Sequence, residues 1–135
     1  MPDSKRKQRQ RRTKNPLDAL HETIRELVDR VPGATTEMHE NGAYESVLFA
    51  VHMPEESDDR AAVDLANQVL GAAEASPLGE EGQWTWMVAI HRGPDVVLDL
   101  EPGNLPRVIC SVCGCIQGSG GECEDCYSPL PPLRA

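Results

Sequence analysis

Five cysteines fall between positions 110 and 126 of a 135-residue chain, and four of them form two Cys-x-x-Cys pairs, Cys110–Cys113 and Cys123–Cys126. Two such pairs supply the full donor set of one tetrahedral zinc ion. Each pair spans a tight turn, so both sulfurs can aim at one centre. Nine residues separate the pairs, enough for the chain to fold back and close the shell. Four sulfurs leave no open coordination position, so the expected Zn2+ is structural rather than catalytic. Iron fits the same thiolate shell, and the sequence leaves that choice open.

The segment around these cysteines needs the ion. Between Ile109 and Tyr127 the large apolar groups are Ile109, Val112, Ile116 and Tyr127, among Ser, Gly, Glu and Asp. Burial of so few side chains cannot offset an ordering cost of roughly 1–2 kcal/mol per residue. A structural zinc contributes an apparent ~10–16 kcal/mol at neutral pH. Gly114 suits the turn after the first pair, and Gly118-Ser119-Gly120-Gly121 reads as a hairpin tip. Two other cysteine chemistries remain: disulfides, and a redox Cys-x-x-Cys. The odd cysteine count and a basic N-terminus without an apolar core segment point away from disulfides, and the Gly-rich loop setting points away from redox. Cys115 is left over, either as a free thiol or as an alternate ligand beside Cys113.

At these residues the chain resembles the short zinc ribbons, whose pattern is Cys-x-x-Cys-Gly, about ten residues, then Cys-x-x-Cys. The resemblance covers residues 108–128 and rests on the four cysteines and Gly114. It departs at Tyr127, where a second glycine would follow Cys126, and the usual Pro after the first Cys of each pair is missing. It implies zinc and a ribbon fold and carries no particular function.

Charge divides the chain. Residues 1–14 hold seven Lys/Arg against one Asp, and the remainder holds six Arg against 21 acids. An acidic body repels phosphate backbones, so nucleic-acid contact falls to the tail: Lys5, Arg6, Lys7, Arg9, Arg11, Arg12 and Lys14. Such a tail is expected to be disordered in isolation. The five aromatics are too few for stacking platforms along single-stranded nucleic acid. The longest unbroken apolar run, Val47 to Val51, is far too short for a membrane-spanning helix, and a cytoplasmic address is the expectation. The Arg-rich, Lys-poor, Ala- and Gly-rich composition is compatible with a GC-rich bacterium or its phage.

The elements that carry the metal module follow from periodicity. Asn15-Pro16 reads as the cap and first turn of a helix, with Leu17, Leu20, Ile24, Leu27, Val28 and Val31 on one face. Strands follow over 35–40 and 43–53, joined by Asn41-Gly42 as a two-residue turn. A second helix spans about 59–75, capped by Ser57 or Asp58. Strands over 84–91 and 96–100 flank the turn Arg92-Gly93-Pro94-Asp95. Trp84 and Trp86 read as core anchors. The prediction is an α+β protein: a basic tail (1–15), a two-layer αββαββ domain with a four-stranded antiparallel sheet (16–104), a zinc ribbon (105–128) and a Pro-rich tail (129–135). Pro129, Pro132 and Arg134 match the spacing of a polyproline ligand as well as a plain extended end. Both helices take one sheet face. The other face carries Leu48, His52, Met87, Ala89 and His91, and the simplest cover for it is the metal module.

No nucleophile elbow, phosphate loop or paired-His metalloprotease helix is present. The function these residues imply is a non-enzymatic adaptor or accessory binding protein with a protein partner and an auxiliary nucleic-acid-contacting arm. A direct DNA/RNA-binding regulator is one alternative. A small enzyme using His39, His52 and His91, gathered in a pocket on one sheet face, is the other.

Overall fold

Asn15 starts the first helix by accepting the Leu17 N–H at its side-chain oxygen, 2.8 Å away. Pro16, with no N–H to satisfy, takes the first helical position. In this computed structural model, which describes residues 15–78 and 84–133, helix α1 spans Pro16–Asp29 and buries Leu17, Leu20, Ile24 and Val28 along one stripe. Strands β1 (Thr35–Asn41) and β2 (Ser46–Met53) follow, then helix α2 (Asp59–Glu74) and strands β3 (Thr85–Arg92) and β4 (Asp95–Leu100). Two short strands, β5 (Arg107–Ile109) and β6 (Ile116–Gly118), flank the first cysteine pair. Asp58 caps α2 by accepting the Ala61 N–H at 2.8 Å. The basic residues Lys5 to Lys14, and Arg134, lie outside the described residues.

The four long strands form one sheet in the order β1-β2-β3-β4. The two hairpins pair antiparallel, but β2 and β3 run parallel, so the sheet is mixed and the expected all-antiparallel arrangement is corrected. The reason is α2. A helix between two strands carries the chain back along the sheet, so the next strand starts at the same end as the last one. β2 and β3 also carry the densest apolar face. Val47, Phe49, Val51 and Met53 of β2 and Trp86, Val88 and Ile90 of β3 are buried beneath the helices, together with Leu98 and Leu100 of β4. Both helices lie on this one face, as the periodicity predicts, and Trp84 packs at its margin.

The first hairpin corrects a second expectation. Asn41 pairs with Ser46, so the loop is Gly42 to Glu45 rather than a two-residue turn at Asn41-Gly42. The longer loop sets Met38 opposite Phe49 and gives β1 apolar contact along the buried row. The second hairpin keeps the tight turn, with Arg92 paired to Asp95 and Gly93 at φ 61°.

The cysteine module does not cover the open sheet face; it meets α2. The Asn67 side chain accepts the Arg107 N–H at 2.7 Å and donates to the Arg107 carbonyl at 2.9 Å, as a neighbouring strand would. Val108 is buried there, and Ile109 and Ile116 pack against the main core. Arg107 also donates to the Asp99 carbonyl at 3.0 Å, tying β5 to the end of β4.

Candidate metal centre

The two cysteine pairs build the same object twice. In the first, the Gly114 N–H reaches the Cys110 carbonyl at 2.9 Å, and the Cys110 N–H reaches the Cys115 carbonyl at 2.9 Å. In the second, the Tyr127 N–H reaches the Cys123 carbonyl at 2.9 Å, and the Cys123 N–H reaches the Ser128 carbonyl at 2.8 Å. Each turn closes through a residue at positive φ, 81° at Gly114 and 62° at Tyr127. The β5–β6 hairpin carries the first knuckle, and a bridge between Glu122 and Pro129 carries the second.

These knuckles face each other and bring their sulfurs together. Cys110 and Cys126 lie 3.6 Å apart, Cys113 and Cys123 3.5 Å, and all four sulfurs lie within 4.8 Å of one another. A tetrahedral ion with bonds of about 2.3 Å sets its sulfurs about 3.8 Å apart, so the donors fit one metal ion. The cysteines are free thiols, and these separations are well beyond an S–S bond of about 2.05 Å. Cys110 and Cys123, the first of each pair, are buried.

Backbone donors favour thiolate at Cys110 and Cys123, the first cysteine of each pair. The N–H groups of Cys113 and Val112 hold the Cys110 thiol below its ordinary range. Burial opposes ionisation of Cys123, but the N–H groups of Cys126 and Asp125 and the neighbouring thiols outweigh it and lower its pKa to about 6. At Cys113 the Cys115 N–H favours thiolate, yet the thiols of Cys115 and Cys123 prevail and push its pKa up, so the Cys113–Cys123 pair keeps its proton on Cys113. Gln117 completes the shell. It donates to the Cys123 sulfur at 2.7 Å and accepts the Glu124 N–H at 2.8 Å, joining the hairpin to the second knuckle. Nothing in the residue type marked it beforehand; its alternation with Ile116 on β6 was the usable signal. Cys115 sits beside Asp125, whose carboxylate pushes its thiol up, so it is a poor thiolate next to the four-sulfur set. Its sulfur, that of Cys113 and an Asp125 oxygen form a second close group.

One histidine stands apart from the other three. His21 is half-buried on α1 against Phe49, with ring centroids 5.9 Å apart, and burial lowers its pKa. His39, His52 and His91 do share the open sheet face. His52 and His91 stack at 4.8 Å, and Glu37 reaches both His52 and His39. His39 pairs with Leu48 across the strands. This face is open to solvent, with the His39 side chain 57% exposed. Among the described residues, no helix is long and apolar enough to cross a membrane. No family model, curated protein or solved structure matches the chain.

Proposed function

We propose that this chain is a non-enzymatic adaptor or accessory binding protein, in which a structural zinc ribbon holds a rigid surface for a protein partner. The observation that carries this reading is Tyr127. It stands at φ 62° with 73% of its surface exposed, where the matching residue of the other knuckle is glycine. A non-glycine residue in this conformation costs roughly 1–2 kcal/mol. Inside the chain the tyrosine recovers little of that through burial. Strain of this kind on an exposed aromatic fits a contact made outside the chain. Val112, on the other knuckle, is 68% exposed and adds an apolar group.

Zinc rather than iron is supported by the ribbon resemblance at the four cysteines and Gly114. The acidic body favours a partner with a basic surface, and the basic tail adds a nucleic-acid contact. Direct nucleic-acid binding by the tail alone is the competing account.

Replacing Tyr127 with a photocrosslinking phenylalanine analogue in host extract tests the reading. The expected result is a discrete protein adduct that persists after nuclease treatment and disappears on chelation. Adducts lost to nuclease, or binding abolished by deletion of residues 5–14 alone, would transfer the function to the tail.

A further inference from the structure

A second donor group abuts the sulfur quartet and shares one sulfur with it. The sulfurs of Cys113 and Cys115 and a carboxylate oxygen of Asp125 all lie within 4.8 Å of one another. A tetrahedral ion with Zn–S bonds of about 2.3 Å and a Zn–O bond of about 2.0–2.2 Å sets its two sulfurs about 3.8 Å apart and sulfur and oxygen about 3.5 Å apart, inside that limit. The backbone places each donor. The first knuckle fixes Cys113 and, through the bond from the Cys110 N–H to the Cys115 carbonyl, Cys115 as well. The second knuckle fixes Asp125, whose N–H donates to the Cys123 sulfur. Cys110 and Cys123 are buried, whereas Cys113 is exposed, so its sulfur has a side that the quartet does not use. Cys115 is half-buried and Asp125 exposed, which opens the group to solvent.

We propose that Cys113, Cys115 and Asp125 bind a second zinc ion, with the Cys113 thiolate bridging it to the ion of the quartet. The proposal rests on the four-cysteine metal reading, because the bridge is one of those four ligands. A thiolate sulfur keeps spare lone pairs after binding one ion, so it can bond a second. Two thiolates with one carboxylate suit zinc, which accepts both sulfur and oxygen; a softer ion such as Cu(I) gains little from the carboxylate. The Asp125 carboxylate that disfavours a Cys115 thiolate becomes its fellow ligand once a cation stands between them. The thiol proton then leaves to solvent. Three protein donors leave the fourth position to water. The second ion is therefore held more weakly than the first and exchanges more readily, and it ties the two knuckles together a second time.

Titration of the reduced full chain with Cd2+, a thiolate-seeking stand-in for zinc with NMR-active isotopes, tests the proposal. The first equivalent is expected to give one resonance in the tetrathiolate region. The second gives a new resonance upfield of it, from a shell containing oxygen, coupled to the first through the Cys113 sulfur. The variant carrying Cys115→Ala and Asp125→Asn keeps the first resonance and weakens the second equivalent at least about tenfold. Native mass spectrometry with Zn2+ counts the same two ions in the parent and one in the variant at matched concentration. A first resonance with no second, or a second that persists unchanged in the double variant, overturns the proposal and leaves the quartet standing. A chain that gives no tetrathiolate resonance defeats both.

Discussion

The knuckle of Cys110–Cys115 and that of Cys123–Ser128 make the same pair of backbone bonds around the same pair of sulfurs, yet they are anchored and finished differently. The first follows β5, which is fastened to α2 through Asn67 and to β4 through Arg107. It turns on Gly114, the residue that adopts positive φ at least cost. The second is held by Gln117 and a single bridge, and it turns on an exposed tyrosine. One half is built for attachment to the body. The other tolerates strain at its surface, and the proposed partner contact is placed there on that contrast.

The largest effect concerns what the knuckles share. If one ion joins them, chelation removes about 10–16 kcal/mol of folding free energy from both halves at once. Hydrogen exchange is expected to show residues 107–130 losing protection together while β2 and β3 keep theirs. Cys110→Ser and Cys123→Ser should each reproduce this pattern. Fraying of one knuckle with the other intact would break the symmetry claim.

Acid should act through the same sulfurs. Cys123 is depressed from the ordinary thiol range to about 6. Its contribution is therefore full above an unfolded value of about 8.5 and is lost as pH falls through about 6. Metal competes with protons, so release followed by a zinc indicator is expected at or below that pH. Zinc affinity that stays flat from pH 8 to pH 5 would contradict the thiolate shell.

Anchoring comes next in size. Asn67→Ala strips both bonds from the Arg107 backbone and is expected to cost about 1–3 kcal/mol. Hydrogen exchange should rise at β5 while the second knuckle keeps its metal. Equal loosening of both knuckles would mean that the attachment is shared.

The smallest effect exchanges the turn residues. Gly114→Tyr is expected to destabilise the ribbon by about 1–2 kcal/mol, and Tyr127→Gly to stabilise it by about 1 kcal/mol. Denaturation of the metal-loaded protein measures both. Loss of stability in Tyr127→Gly would show that the ring is held from within the chain, and the partner argument would fail with it.

Local chemistry was legible in the sequence. Asn15 and Asp58 cap their helices because a side-chain oxygen at that position satisfies an otherwise free N–H, and this depends on neighbours alone. The cysteine spacing likewise announced one four-sulfur site. Long-range choices were hidden. Whether β3 joins β2 or another edge depends on where α2 returns the chain, which no pattern within either strand encodes. The favourable Asn41-Gly42 signal lost to the pairing of Met38 with Phe49, a contact between strands. Asn67 and Arg107 are 40 positions apart, so the seat of the ribbon on α2 had no local signature.

Cobalt substitution of the reduced protein tests the central claim most directly. One Co2+ per chain with the intense visible bands of a tetrahedral tetrathiolate, displaced by one Zn2+ and lost in Cys113→Ser, is the predicted result. No stoichiometric binding, or a spectrum without sulfur charge transfer, would contradict it.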